Sequence, residues 1–245
     1  MSDDVKNNSN LRTNFRTVML RPDLGAIVGV ILVFLFFFLV ARDTGMFSLE
    51  GSMNWGIVSS QFIIIAVGAC LLMIAGEFDL SVGSMIGFAG IVIAVTSVVW
   101  GWPVWLSIIS AFAISMAIGA LIGYITISTN LPSFIVSLAF LYILRGLTIF
   151  IAIISTKKTI IGGVTEVAQD DWLAPIFGGE IFTGVFQWLA EQGMIQTFVA
   201  GTKAGQPVVS GIPMMMVWAL GLIVFAHFLL TKTRFGNWIY ASGGD

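Results

Sequence analysis

Charged residues are scarce in this sequence. Only 10% of its residues are Asp, Glu, Lys or Arg, whereas an ordinary soluble domain carries roughly 25%. Hydrophobic residues make up 58%, and the mean hydropathy is +0.99. One soluble core does not need that much apolar surface. The few basic residues form no patch, so the composition also argues against a nucleic-acid partner.

Cysteine and histidine are nearly absent, with one residue of each type. Cys70 lies inside an apolar stretch, and a disulfide within one chain is excluded. For His227, near the end of another apolar stretch, a structural role is favoured over a proton relay or a ligand. The sequence also has neither a Gly-x-x-x-x-Gly-Lys-Ser/Thr phosphate loop nor a Gly-x-Ser-x-Gly nucleophile motif. We therefore expect no catalysis, no metal site and no cofactor site in this chain.

Long apolar stretches are abundant instead. Each has about 18 or more residues, which is long enough to cross a bilayer as a helix. We predict an all-α, polytopic integral membrane protein with about six transmembrane spans, at residues 24–41, 57–75, 82–99, 104–128, 133–154 and 213–230.

The polar segments between and beyond these spans predict the orientation. Residues 1–23 form a basic tail, with Lys6, Arg12, Arg16 and Arg21. Lys232 and Arg234 follow the last span. Basic flanks favour the cytoplasm, so we predict that both ends are cytoplasmic and that the acidic loop 155–212 is periplasmic. Residues 231–245 are predicted to lie in the cytoplasm.

The long loop contains one amphipathic stretch. Phe182, Val185, Phe186 and Leu189 recur at helical spacing between Glu180 and Glu191. This spacing predicts a short helix that lies on the membrane surface.

Three charges are placed where a membrane protein must compensate them. Glu77 and Asp79 lie between the second and third spans, and Arg145 lies midway along the fifth. A lone charge at that depth costs at least about 2.5 to 3.5 kcal/mol. We therefore expect Arg145 to pair with Glu77, with Asp79 or with helix carbonyls. Such pairs either line a substrate pathway or lock helices together, and both interpretations remain open.

Pairs of glycines spaced four residues apart occur inside three of the spans. This spacing permits close helix approach, so helix packing is the favoured interpretation. The pairs are Gly25 and Gly29, Gly83 and Gly87, and Gly119 and Gly123.

Three stretches resemble one known family. Gly76-Glu77-Phe78-Asp79-Leu80-Ser81-Val82-Gly83-Ser84 resembles the Gly-x-x-Asp-Leu-Ser-Val-Gly signature of the permease subunits of bacterial ribose, xylose and related monosaccharide ABC importers. The stretch 131–138, leading to Leu144-Arg145-Gly146, is similar to the segment that follows in that family. The stretch 233–245 resembles its cytoplasmic entry to the coupling region. This resemblance implies that a cytoplasmic coupling region starts at 231–245, with coupling roles for Arg234, Gly236, Gly243 and Gly244.

The resemblance implies an architecture and a set of partners. It implies the N-terminal part of a roughly ten-helix, type II-like importer permease in the bacterial inner membrane, working as a homodimer. Two cytosolic ABC ATPase subunits would carry ATP and Mg²⁺, and a periplasmic sugar-binding protein would deliver a pentose or hexose. The long loop is more similar to xylose-type or fructose-type members. Because that family continues past the position of Asp245, the chain is expected to be a fragment or a truncated product that does not transport alone.

Two further classes remain as alternatives. Secondary transporters and channels also interrupt their spans and place charges there, as the segment from Glu77 to Gly83 does. A membrane-anchored scaffold would have the same composition. A secondary transporter or channel would differ from an importer subunit in its energy source, which would not be ATP.

Overall fold

The structure, a computed structural model, describes residues 22–201 and 203–244. The basic residues of the predicted tail therefore lie outside the described residues, as does Asp245. The chain divides into two compact units, residues 1–54 and 55–245.

The first unit contains helix α1, Pro22–Val40, a single 3₁₀ turn at Arg42–Thr44, and the beginning of helix α2, Leu49–Ile74. Gly45 adopts φ 77° after the turn, and the Phe38 and Phe47 rings meet edge to face at 5.5 Å. Residues 24–40 of α1 are apolar on all faces of the helix. That pattern is typical of a helix in lipid. Its apolar stretch, Leu24–Val40, is shorter than those of the other long helices.

Helix α2 begins earlier than the predicted span at residue 57. Ser48 precedes the helix, and its Oγ accepts a hydrogen bond from Gly51 N at 3.1 Å. This is the contact of an N-cap residue. The first turns of α2 are polar, so a hydropathy pattern does not include them.

Three helices follow α2. Helix α3, Val82–Ala94, continues as a π-helical turn at Val95–Val99. Helix α4 is Val104–Thr129, and helix α5 is Ser133–Thr156.

The long loop then folds into short elements. They are α6, Val164–Ala168; α7, Ala174–Gly178; strand β1, Glu180–Ile181; α8, Thr183–Glu191; and strand β2, Ile212–Pro213. The two strands are antiparallel and pair Glu180 with Pro213. The predicted helix between Glu180 and Glu191 is therefore present as α8. Phe182 precedes it at φ 61° instead of lying within it, and the position of α8 on a membrane surface remains a prediction.

Helix α9, Met214–Lys232, follows the loop, and α10, Arg234–Ser242, ends the described chain. Among the described residues, five helices are long and apolar enough to cross a membrane: α2, α3 with its π-helical turn, α4, α5 and α9. The chain is thus a mainly helical, polytopic membrane protein.

Proline marks the start of three of these helices. Pro103, Pro132 and Pro213 directly precede α4, α5 and α9, with φ between −55° and −59° and ψ between 132° and 141°. Proline fixes φ near these values and has no N–H, so it is readily placed before the first turn.

The interior of the second unit is formed by α3, which packs against both α4 and α5. Its apolar cluster comprises Phe88, Ile91, Val95, Leu144 and Ala152. The largest side chains that are less than 2% exposed are Leu144 and four serines, Ser81, Ser97, Ser107 and Ser137. Small residues let helix backbones approach closely, which is the usual basis of packing between membrane helices.

Candidate functional site

Helix α2 ends in a turn that opens a non-helical segment, Ala75 to Ser81, which we call the break. Gly76 adopts φ 82°. Its N–H donates to Met73 O at 3.0 Å, and Glu77 N donates to Leu72 O at 3.1 Å. This is the Schellman arrangement, in which a glycine in the left-handed region lets the last helical carbonyls be satisfied.

Asp79 fixes the other side of the break. Its Oδ1 accepts hydrogen bonds from Ser81 N at 2.7 Å and from Ser81 Oγ at 2.6 Å. Ser81 is 1% exposed and directly precedes α3. A carboxylate at a helix N-terminus interacts favourably with the N–H groups and with the helix dipole. Asp79 is therefore compensated by the start of α3.

Two serines of α5 hold the backbone of the break. Ser133 Oγ accepts from Phe78 N at 3.0 Å, and Ser137 Oγ accepts from Leu80 N at 3.1 Å. Ser137 is fully buried, and its hydroxyl donates to Phe134 O at 3.3 Å. Non-helical backbone in a membrane protein requires such partners, since the lipid core offers none.

The spacing of these contacts follows from chain geometry. Residues two apart in an extended segment are about 6.6 Å apart. Residues four apart on a helix share one face and are separated by about 6 Å along its axis. Phe78 and Leu80 can therefore bind Ser133 and Ser137 simultaneously.

Gly243, just after α10, packs against the same region. A Cβ there would overlap Ile74 O and lie 3.0 Å from the Ala75 carbonyl carbon. A Cβ on Gly76 would in turn lie 3.6 Å from Gly243 Cα. Only glycine permits this approach of the two backbones.

The start of α10 is also closely packed. Thr233 Oγ1 accepts from Gly236 N at 3.1 Å and donates to Leu229 O at 2.6 Å. Gly236 is buried, and an added Cβ would lie 2.5 Å from Leu230 O. Arg234 is exposed, and so is Gly244.

The break, the first turns of α5 and the residues after α9 therefore meet at one end of the second unit, which we call the motif end. Each of the three stretches that resemble the sugar permeases contributes to it. This arrangement places the residue that follows α10 in contact with the junction between α2 and α3.

Arg145 lies elsewhere, about three turns along α5 from Ser133, or on the order of 18 Å. It is exposed and lines an open groove of about 440 Å³ between α3 and α5. Gly83, Ser84 and Gly87 form the α3 side of this groove, and Thr148 lies on the α5 side. Arg145 makes no ion pair with Glu77 or Asp79 in residues 22–201 and 203–244. An ion pair with either carboxylate, two of the partners predicted from the sequence, is thus not formed among these residues. Glu77 is half-buried.

Within the described residues of the second unit, the glycine pairs of α3 and α4 do not lie at close helix contacts. A Cβ added to Gly83, Gly119 or Gly123 would meet no atom within 4 Å. The interpretation of the three pairs as packing sites stays a prediction. Gly87 would make only an ordinary contact, 3.9 Å from Thr148 Cγ2. At Gly83 and Gly87 the missing side chains instead open the groove in front of Arg145.

At the opposite end of the unit, Asp171 joins the long loop to α4. Its Oδ2 accepts from Trp105 N at 3.0 Å, and its Oδ1 accepts from Leu173 N at 2.9 Å. Burial raises the pKa of Asp171, but the N–H donors of Trp105, Leu173, Ala174 and Val104 together hold that pKa below its ordinary value of 3.8. One carboxylate thus caps α4 and the start of α7.

Because the pKa of Asp171 is lowered in the folded state, its stabilising contacts are complete above about pH 4 and are lost as the pH falls through the lowered value. We expect Asp171→Asn to lower the thermal unfolding midpoint at pH 7 by roughly 2–4 °C. The difference from the wild type should shrink as the pH is lowered from 7 to 3. Asp170→Asn is the matched control, and a difference that stays constant with pH would contradict the assignment.

No pattern in the sequence indicated the roles of Ser133, Ser137 and Asp171. Ser133 and Ser137 are four residues apart at the start of a helix that follows Leu-Pro. This spacing could have indicated their role only if the segment that they bind had been known. Asp171 lies 66 residues from Trp105 along the chain. Within the described residues, no three His, Cys, Asp or Glu side chains lie together as metal ligands do.

Comparisons with known proteins point to transport. Residues 52–245 match the family described as the permease component of branched-chain amino acid transport systems. The chain is 29% identical over 243 residues to the xylose transport system permease protein XylH of Escherichia coli (strain K12), covering 89% of this chain and 62% of that protein. It is 30% identical over 185 residues to the ribose import permease protein RbsC of the same organism, covering 74% and 46%.

A third relative, the inner membrane ABC transporter permease protein YjfF of Escherichia coli (strain K12), is 29% identical over 184 residues, covering 74% of this chain and 45% of that protein. The chain therefore spans less than two thirds of the length of these relatives. No solved structure matches it.

Proposed function

This chain belongs to the family of permease components of branched-chain amino acid transport systems, and on that premise we propose that it forms the membrane pathway of an ATP-driven monosaccharide importer. The observation that carries the proposal is the motif end. There, the three stretches that resemble sugar permeases are joined by Ser133, Ser137 and Gly243. The relatives named for xylose and ribose favour a pentose or hexose as the substrate.

The proposal includes partners on both sides of the inner membrane. Cytosolic ATPase subunits, which bind ATP with Mg²⁺, would act on α10 and the motif end. A periplasmic sugar-binding protein would dock on the long loop, and a second copy of the permease would complete the pore. The direct contact between Gly243 and the backbone of Ile74 supports a route from α10 to the helices.

The proposed orientation places the motif end in the cytoplasm and the long loop in the periplasm. In a Cys70→Ser background, a cysteine at Gln169 should react with an impermeant maleimide in cells whose outer membrane is permeabilised. A cysteine at Ser242 should react only after the inner membrane is opened. Both replaced side chains are exposed, so accessibility of the side chain does not bias the comparison. The reverse labelling pattern would contradict this orientation.

We assign Arg145 to the sugar pathway. Arg145 lines an open groove, and among the described residues the other polar side chains that line it are those of Ser84 and Thr148. A guanidinium has five N–H donors and can bind sugar hydroxyls or water in place of a carboxylate. Hydroxyl partners would offset the cost of a charge in the membrane.

The test is sugar uptake by the protein expressed with the ATPase and binding protein of its own system. Uptake of D-xylose or D-ribose should require all three components and ATP hydrolysis. Arg145→Met should lower uptake at saturating sugar by about tenfold or more, since hydrogen bonds to charged groups are the stronger ones. Phe150→Leu is the control, because Phe150 is exposed on α5 outside the groove.

Two outcomes would count against these proposals. Uptake that continues without the ATPase and follows an ion gradient would favour a secondary transporter. Full uptake by Arg145→Met would remove Arg145 from the pathway.

A further inference from the structure

The long loop contains an open pocket of about 330 Å³ between α8 and the segment 198–210. One wall is a stripe of Thr183, Gln187 and Glu191. These residues are four apart and therefore share a face of α8. The polar or aromatic residues of the other wall are Phe198, Lys203, Gln206 and Ser210. The volume lies at the lower end of the range of about 300–1,000 Å³ that is usual for small-molecule sites.

Backbone contacts hold the two walls in place. Phe198 N donates to Gln206 O and Gly205 N donates to Phe198 O, both at 2.9 Å, which forms a hairpin. The hairpin returns to α8 at Gly211, where an added Cβ would lie only 2.7 Å from Ile181 O. The absence of a side chain at Gly211 allows this close return. The pocket is thus built by the backbone, and its polar side chains are not needed to close it.

The charges of the pocket balance. Glu191 and Lys203 are the charged residues that line it, and they have opposite signs. Lys203 Nζ lies 5.9 Å from the centroid of the Phe198 ring. A cation–π contact of this kind keeps an ammonium beside the pocket. A pocket with one charge of each sign suits a ligand of zero net charge better than an anion or a cation.

The remaining polar groups can bind such a ligand. In the parts of the chain that the structure describes, the side chains of Gln187, Glu191 and Gln206 make no hydrogen bond to protein groups. A carboxamide both donates and accepts, and a carboxylate accepts at two oxygens. Neighbouring hydroxyls of a polyol can therefore be bound in pairs. The ring of Phe198 offers an apolar surface to the C–H groups of a sugar.

We propose that this pocket binds a neutral monosaccharide on the extramembrane loop, apart from the groove at Arg145. The choice of sugars as ligands rests on the proposed function. The requirement for a neutral ligand rests on the charges and hydrogen-bonding groups that line the pocket. Bound there, a sugar would be held outside the membrane pathway.

Saturation-transfer NMR on the full chain in lipid nanodiscs tests this site. D-Xylose and D-ribose should receive saturation from the protein, and D-glucuronate, an anion of similar shape, should receive much less. Gln187→Ala and Glu191→Ala should each weaken sugar binding by about tenfold or more, because each removes hydrogen bonds to the ligand. Gln192→Ala is the matched control, since Gln192 is exposed at the end of the same helix and does not line the pocket.

Circular dichroism and gel filtration must show that each variant is folded like the wild type. No saturation of the neutral sugars by the wild type, equal saturation of D-glucuronate, or unchanged sugar binding in both folded pocket variants would overturn the inference. Sugar uptake is measured separately. If uptake fails but binding is lost only in the pocket variants, the site stands and the proposed transport function fails.

Discussion

Replacing Gly243 with alanine should abolish the stimulation of ATP hydrolysis by sugar and binding protein, while the helices still insert. A Cβ at this position overlaps Ile74 O, so α10 must move away from the break. The atoms in the way belong to the backbone and cannot change rotamer. Forced overpacking commonly costs about 1–3 kcal/mol. The measurement is the ATPase rate of the reconstituted complex with and without sugar, beside the amount of protein in the membrane fraction.

Gly221→Ala is the matched control, because a Cβ on that residue of α9 would meet no atom within 4 Å. It should leave both the ATPase rate and the membrane content unchanged. If Gly243→Ala retained full stimulation, the contact between α10 and the break would not transmit the force of the ATPase.

Ser137→Ala is expected to destabilise the membrane domain by about 1–3 kcal/mol, because it leaves the N–H of Leu80 without its partner at a part-buried position. Ser133→Ala should cost less, since Phe78 N lies in a more exposed place. The free energy of unfolding in mixed micelles, measured by denaturant titration, gives both values.

Ser128→Ala provides the comparison for this pair. The Ser128 hydroxyl donates to Ile125 O at 3.4 Å at an exposed position. Its loss should change the free energy of unfolding by much less than the loss of Ser137. Equal values for the two variants would show that the hydroxyl of Ser137 does not hold the break.

The helices were predictable because their signals are local. A long apolar stretch specifies a membrane helix without reference to the rest of the chain. Prolines before α4, α5 and α9 mark starts that agree with the predicted spans to within one residue. The first turns of α2 were missed, since they are polar and their start depends on the cap at Ser48.

The partners of the charged residues were not predictable in the same way. Opposite charge alone suggested that Asp79 would bind Arg145. The structure shows that the carboxylate is satisfied within two residues, by Ser81. A local hydrogen bond of this kind competes with any distant partner. The spacing of the glycine pairs has a related limit, because it identifies a face of a helix but not what lies opposite that face.

The buried serines also determine how the second unit would respond to heat. Its most deeply buried side chains are mainly hydroxyl-bearing, and large apolar side chains point outward on every long helix. Separating the helices inside a bilayer would therefore transfer little apolar surface to water. Soluble proteins gain about 12–15 cal/mol/K per residue in heat capacity on unfolding, because they expose such surface. This domain should gain far less, so its stability should vary almost linearly with temperature and show no cold denaturation.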